Sequence, residues 1–425
     1  MVAYVKEFLQ ILQEELVPAL GCTEPIAIAF AGAKAREVLG GMPSKITVKC
    51  SGSLLKNIKC VSVPNTKLHG VEASVLSGLL VGDSNKGMEV LSSFQESHIP
   101  LVESWIKKGI CKVELLKSPL NLHFIVRYEN EEGSSEVEIQ NLHTNITRIL
   151  KNDETVFEAE ADLLKYYGVL TDRRFFSVEN IYEFAKGANI EDLKIIMGPQ
   201  VLLNMQIAKE GFEKPFGVSI GDAILNFDKT VFGKMKAFAA SASEARMCGS
   251  SLPVITNSGS GNQGIATSVP VIVYAMENNI PEEEMYRALA LSNLLTIYQK
   301  NHIGRLSAFC GAISASCGAG AAVTYLAGGT LDQIKMTVVN SLADASGIVC
   351  DGAKASCASK IASSLESAFI GHYIAMNHKV YPPYSGILGK DADETIAYVG
   401  RIAKDGMKDM NDVILEVMME SKETC

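Results

Sequence analysis

The chain has 425 residues, of which 47% are hydrophobic and 20% charged, and a formal net charge of −9. That length suits two or three domains, and the composition is that of a globular protein with a large core, not of a disordered chain. An acidic balance with no cluster of Lys and Arg argues against nucleic acid as the main partner.

Residues 3–17 carry Lys6, Glu7, Glu14 and Glu15 among apolar positions, which predicts an amphipathic helix and not a signal peptide, ending near Pro18. Thr23 can cap a second helix, with Pro25 in its first turn, running to Leu39 before Gly40-Gly41. Lys45–Cys50 alternates as a short strand. A helix near 89–108 precedes strand-like runs at 111–116, 122–128, 136–142 and 147–150, with Asn130-Glu131-Glu132-Gly133 as a hairpin turn. From about 155 onward the pattern is helical. Helices are expected over 179–186, 191–209 and 229–247, then from the acidic start Glu282-Glu283-Glu284, then from a Thr330 cap. The stretch 308–328 is uncharged and apolar, but its wealth of Gly, Ser and Ala favours a buried helix over a membrane span. The expected fold class is therefore mixed, a large all-α C-terminal domain with a smaller N-terminal α+β part. The expected division is 1–40 as helices packing on the helical domain, 41–154 as the α+β domain, and 155–425 as the helical domain.

Ten cysteines without a secretion signal read as reduced thiols or metal ligands in a cytoplasmic protein, not as a disulfide framework. Cys22 lies at a helix start, where backbone N–H groups can stabilise a thiolate; it can equally be a small buried residue beside a turn. Cys310 and Cys317 are seven apart, as are Cys350 and Cys357. No compact ferredoxin-type spacing appears, so spacing alone leaves ligand and inert core thiol both open. The loop Ser258-Gly259-Ser260-Gly261-Asn262-Gln263-Gly264 exposes backbone N–H groups that can cradle a phosphate or a carboxylate, or forms a tight turn between helices. It lacks the ending of a P-loop. Lys56 and Asn57 can bind a carboxylate or be solvated. His302 can be a base, a ligand or a structural residue, and His69, His98, His123, His143, His372 and His378 show no metal-type spacing.

Taken together, Ala19-Leu20-Gly21-Cys22-Thr23-Glu24-Pro25, Leu55-Lys56-Asn57, Asn257-Ser258-Gly259-Ser260-Gly261-Asn262-Gln263-Gly264, Cys310-Gly311-Ala312 and Gly347-Ile348-Val349-Cys350-Asp351-Gly352-Ala353-Lys354 resemble the L-cysteine desulfidase family, related to the α-chain of iron–sulfur L-serine dehydratases. The resemblance spans nearly the whole chain. It implies that Cys310, Cys350 and Cys357 hold an oxygen-labile [4Fe–4S] cluster with one open iron, and that Cys22 is a fourth ligand or a catalytic thiol. Cys317 is a rival to Cys310 but is expected to be a packed residue. The gap between Cys350 and Cys357 is shorter than in the serine dehydratases, so the desulfidase branch matches better.

The activity so implied is αβ-elimination of a small amino acid, L-cysteine giving hydrogen sulfide, ammonia and pyruvate. Cys22 would be the base, and Ser258, Ser260, Asn262 and Gln263, with Lys56 and Asn57, would hold the substrate. The alternatives are serine dehydration by the same mechanism, a pyridoxal-phosphate lyase using Lys56 or Lys354, and a non-catalytic thiol or metal-binding protein. The only expected partner besides a small amino acid is a second copy, since helix-rich enzymes of this size are often homodimers; no membrane association is expected. Related dehydratases can tuck a C-terminal cysteine into the active site. Here the polar tail Glu420-Ser421-Lys422-Glu423-Thr424-Cys425 offers no apolar anchor, and Cys425 is expected to be exposed.

Overall fold

The computed structural model describes residues 3–64, 66, 68–159 and 171–420. The first part of the chain runs α1 (Val5–Glu15), β1 (Pro18–Leu20), α2 (Thr23–Leu39), β2 (Lys45–Cys50), α3 (Gly52–Ile58), α4 (Gly70–Val81), α5 (Ile99–Lys108), β3 (Cys111–Leu115), β4 (His123–Asn130), β5 (Gly133–Gln140), β6 (Ile146–Lys151) and β7 (Glu154–Glu158). The rest runs α6 (Val178–Gly187), α7 (Ile190–Glu213), α8 (Ile220–Phe227), α9 (Val231–Met247), β8 (Pro253–Ile255), α10 (Gly261–Glu277), α11 (Glu282–Ile303), α12 (Gly311–Leu326), α13 (Leu331–Asp344), α14 (Cys357–Met376), α15 (Ala392–Arg401) and α16 (Met410–Glu420). The architecture is mixed: mostly helical, with one mixed sheet in the order β3-β2-β4-β5-β6-β7 and a small separate pair, β1-β8.

The sheet follows its alternation. Ile46, Val48 and Cys50 of β2 lie opposite Tyr128, Val126 and Phe124 of β4, and all six are buried on one face. That face packs under α2 and α4, making one core. A second, larger core is helical and contains α12 at its centre, against α10, α11, α13 and α14. The small side chains of α12 suit such crowding, because Ala, Gly and Ser let helix axes approach closely. Among the described residues, no helix is long and apolar enough to cross a membrane.

Several expectations change. Helix α2 packs with the sheet, not on the helical domain, because its Ile26, Ile28 and Phe30 belong to the sheet's core; only α1, through Phe8, Ile11 and Leu12, joins the helical one. Cys22, and not Thr23, is the N-cap of α2. The helix expected from 89 starts at Ile99, after short 3-10 turns at 84–89 and 96–98. Helices α3 and α4 have no clean period: α4 is buried nearly all round, which erases the polar stripe that marks a surface helix. Helix α16 leaves the helical part and packs on α3. Cys425 lies outside the described residues.

Candidate active site

Two short backbone pairings bring distant segments to the seam between the two cores. Strand β1 pairs antiparallel with β8, Ala19 opposite Val254, which sets Cys22 beside the loop that follows β8. A single bridge joins Phe309 to Val349, with Cys310 N donating to Ile348 O at 2.9 Å and Cys350 N donating to Ala308 O at 2.7 Å. Cys310 and Cys350 are thereby neighbours. Cys22, Cys310, Cys350 and Cys357 all line one cavity of about 100 Å³, and Cys357 packs against the small apolar cluster of Cys22, Val61 and Met247. Cys317, one helical stretch beyond Cys310, is buried in the helical core and does not line the cavity.

Four helices begin at this cavity: α2 behind Cys22, α10 behind Ser260, α12 behind Cys310, and α14 at Cys357 itself. Each start presents unpaired N–H groups and the positive end of a dipole, worth about 0.3–1 kcal/mol to a nearby anion. Ser258 and Gly259 both have positive φ, at 51° and 78°, and form a tight turn closed by hydrogen bonds between Asn257 and Ser260 at 3.1 Å. The turn continues into α10, whose start Ser260 caps by accepting from Gln263 N. The site is thus electropositive by construction. It suits anionic groups, both thiolates and a substrate carboxylate.

The side chains add an ordered polar shell. Cys22 Sγ donates to Glu24 Oε2 at 2.8 Å, Thr23 Oγ1 donates to the same oxygen at 3.0 Å, and Asn57 Nδ2 donates to Glu24 Oε1 at 3.0 Å. Asn262 Oδ1 accepts from Ser243 Oγ at 3.1 Å and from Arg246 Nη1 at 3.0 Å, so Asn262 orients Arg246 at the cavity wall. Ser258 Oγ donates to Asn257 Oδ1 at 2.8 Å. Among the described residues, four buried polar atoms of side chains that line this cavity have no partner: Asn57 Oδ1, His143 Nε2, Arg246 Nε and Gln263 Oε1. Buried polar atoms are nearly always paired, so four exceptions around one cavity suit a place where water or a ligand completes the hydrogen bonding.

Electrostatics sort the thiols. Burial, and then the Glu24 carboxylate, push the Cys22 thiol well up, so it stays protonated. The helix start favours the anion, whereas burial and a carboxylate at hydrogen-bond distance oppose it. The hydrogen bond from Cys310, with help from the Lys56 ammonium, holds Cys350 down at about 5, while the same bond and burial push Cys310 up. Burial raises Cys357. Burial also takes His143 down to about 4, leaving a neutral imidazole, and Lys300 down to about 8.

Not every expected site residue reaches the cavity. Asn57, Ser258, Ser260, Asn262 and Gln263 line it; Lys56 does not. Lys56 Nζ donates to Cys350 O at 2.7 Å and Asn411 Oδ1 at 2.8 Å, behind the cysteine loop. Lys354 pairs with Asp351 at 2.6 Å and is also absent from the lining, so neither proposed Schiff-base lysine faces the site. His302 is packed against Tyr298 and Gly400, away from the cavity. Conversely, His143, Arg246, Lys300 and Arg305 line the site without having been singled out. His143 follows β5 in the sheet unit and crosses the seam, a placement that no local motif signals. Next to the cavity, sharing Ser258, Lys300, Arg305 and Leu306, lies a wider chamber of about 640 Å³.

Among the described residues, no three His, Cys, Asp or Glu side chains converge as around a single ion. A cluster makes a different demand: each thiolate binds its own iron, so the ligands stand further apart than those of one ion. Cys310, Cys350 and Cys357 on one electropositive wall are soft donors of the kind an iron–sulfur cluster takes, with Cys22 adjacent. The residues fit such a group.

Residues 111–416 match the family model described as serine dehydratase alpha chain. Full-length relatives carry the name UPF0597 protein. One from Treponema denticola is 45% identical over 98% of this chain and 98% of its own; one from Lachnoclostridium phytofermentans is 46% identical over 97% and 99%; one from a Shewanella species is 36% identical over 98% and 99%. The matched segment includes His143, the turn before α10, and Cys310, Cys350 and Cys357, which line the cavity together with Cys22, Glu24 and Asn57 from the preceding part of the chain, and the chain belongs to the serine dehydratase α-chain family.

Proposed function

We propose that the protein is a lyase that eliminates hydrogen sulfide from L-cysteine, giving aminoacrylate, which water converts to pyruvate and ammonia. The four unpartnered polar atoms around the cavity carry this reading. They match a small zwitterion. Arg246 Nε–H, beside the N-terminus of α10, donates to the carboxylate. Asn57 Oδ1 and Gln263 Oε1 accept from the ammonium; the bond from Asn57 Nδ2 to Glu24 fixes which way that amide points. His143 Nε2, neutral and unpaired, takes the Cα proton. The negative charge that then develops toward the carboxylate faces the helix starts.

A [4Fe–4S] cluster held by Cys310, Cys350 and Cys357 would supply a Lewis-acidic iron for the leaving sulfur. The chain's part is to hold the leaving group against that wall and keep water out. Leu306, Phe309, Ala312, Ala353 and Ile361 form its apolar portion, which supports a sulfur leaving group over a hydroxyl. Serine dehydration on the same machinery is the second reading. Anaerobic reconstitution followed by pyruvate and sulfide assays tests both. Expected is a kcat/KM for L-cysteine above that for L-serine; the reverse order assigns the protein to serine, and no pyruvate from either amino acid with a full cluster removes the enzyme reading.

A further inference from the structure

Lys56 stands apart as a fully buried ammonium that does not face the cavity. Its partners among the described residues are neutral oxygens, the Cys350 carbonyl and the Asn411 side chain. Asn411 is on α16, the helix that returns from the far end of the chain to pack on α3. Lys59 of the same region donates to Met418 O, and Gly52 at the start of α3 lies against Leu415. The cysteine loop is seated on α3 as well. Gly352 has φ +97°, and a Cβ there would lie 2.3 Å from Lys56 O, so the loop backbone touches α3 directly; Ala353 N donates to Asn57 O at 3.4 Å. Helix α3 is therefore held between the C-terminal helix and the loop that carries Cys350.

We propose that Lys56 and Asn411 are positioning residues for Cys350: α16, through Asn411, holds the Lys56 ammonium against the Cys350 carbonyl and so sets the direction of the thiol toward the cluster wall. The geometry has a physical rationale. Beyond the backbone bond from Cys350 N to Ala308 O, the loop from Cys350 to Ser356 has no helix or ladder of its own, and side-chain anchoring adds to that single bond. A buried ammonium needs its donors satisfied, and losing either acceptor leaves it to swing toward the other. The fixed positive charge also sits just behind a wall that would carry thiolates. The relation to a cluster rests on the function proposed above; the positioning of the thiol does not.

The test uses the full-length protein and the variants Asn411→Leu, Asn411→Asp and Lys56→Met. Two readouts are taken: the alkylation rate of Cys350 in iron-free protein, mapped by mass spectrometry with core Cys317 as internal reference, and the rate of iron loss to a chelator after anaerobic reconstitution. Loss of a hydrogen bond to a charged group is expected to speed both by about tenfold in Asn411→Leu. Asn411→Asp, which keeps an acceptor, is expected to behave as the wild type. Asn411→Leu is near-isosteric and carries the test even if Lys56→Met fails to fold. Cys350 reactivity in Asn411→Leu equal to wild type, or an Asn411→Asp protein as reactive as Asn411→Leu, overturns the proposal. Altered Cys350 reactivity with no iron bound by any form, wild type included, leaves the positioning standing and removes the cluster reading instead.

Discussion

Glu24 decides what Cys22 can be. A thiol at a helix N-cap with no carboxylate beside it would lean toward the thiolate; with Glu24 accepting its hydrogen bond at 2.8 Å in a buried site, the thiol is pushed up and donates. Among the cavity's unpaired neutral acceptors, His143 is the one whose ring nitrogen can take up a proton, and the proposed function gives it that role. His143→Asn is expected to lower kcat by about 10²–10⁴ while the iron content stays at the wild-type level; an unchanged kcat sinks the assignment. Gly311 makes a second residue-level claim. A Cβ at that position would lie 2.5 Å from Gln263 Cδ. Gly311→Ala must therefore push the Gln263 amide aside without touching the helix core. If Gln263 Oε1 accepts from the substrate ammonium, KM rises by about tenfold or more and kcat changes little, as removal of uniform binding requires. A wild-type KM in that variant would separate Gln263 from substrate binding. Cys22, Cys310, Cys350, Cys357, Asn57 and the Ser258–Gly264 loop share one cavity, and only their combination in the family resemblance, not any one short motif, points to them in the sequence. Lys56 was misread because it neighbours Asn57 in sequence yet points to the other side of α3.

At the scale of elements, helix starts were read more reliably than helix neighbours. Thr330 was expected as a cap and is one: it accepts from Gln333 N while Gln333 Oε1 accepts from Thr330 N, a reciprocal box. Which helices then meet depends on burial all round, which a sequence period does not encode. The contact of α12, α13 and α14 shows this, for it hides a polar network. Thr324 Oγ1 lies 2.7 Å from Thr337 Oγ1 and 2.9 Å from His372 Nδ1. Burial takes His372 down to about 4. In the unfolded chain a histidine titrates near 6.5. Above that pH both states are neutral and the residue contributes no pH dependence. As pH falls from about 6.5 toward 4 the unfolded chain takes up a proton that the fold refuses, so stability is lost, by up to about 3 kcal/mol across the window. His372→Gln keeps a hydrogen-bonding side chain and removes the titration. Urea unfolding at pH 7 and pH 5 should show a smaller loss on acidification in the variant; equal losses would mean that His372 is not shielded.

For the whole molecule, the site exists only where the two cores meet. Cys22, Glu24, Asn57 and His143 come from the first part of the chain, and Arg246, the Ser258 loop and the other three cysteines from the second. Periodicity marks many elements of each part but not the seam, because the three-residue strands β1 and β8 leave no recognisable pattern. The placement of α2 departs from expectation for the same reason: its start serves the cavity while its body belongs to the sheet's core. Glu15 ties α1 into the helical part beside that seam. Its side chain is only 1% exposed and receives Arg305 at 2.9 Å and Arg173 at 2.5 Å, so α1 is tied both to the segment between α11 and α12 and to the chain entering α6. Arg305 also reaches the turn at Gly259, beside the cavity. Removing the carboxylate strands two guanidinium groups that remain partly accessible, so the loss should fall at the lower end for a broken buried pair, about 3 kcal/mol. Glu15→Ala is therefore expected to shift the urea midpoint strongly. It should also raise KM, because Arg305 is free to leave its place over Gly259. Glu15→Gln, which can still accept one hydrogen bond, should recover part of both. A Glu15→Ala protein with a wild-type midpoint would mean that α1 is held by apolar packing alone, and that Arg305 takes its position from the Ser258 turn and not from Glu15.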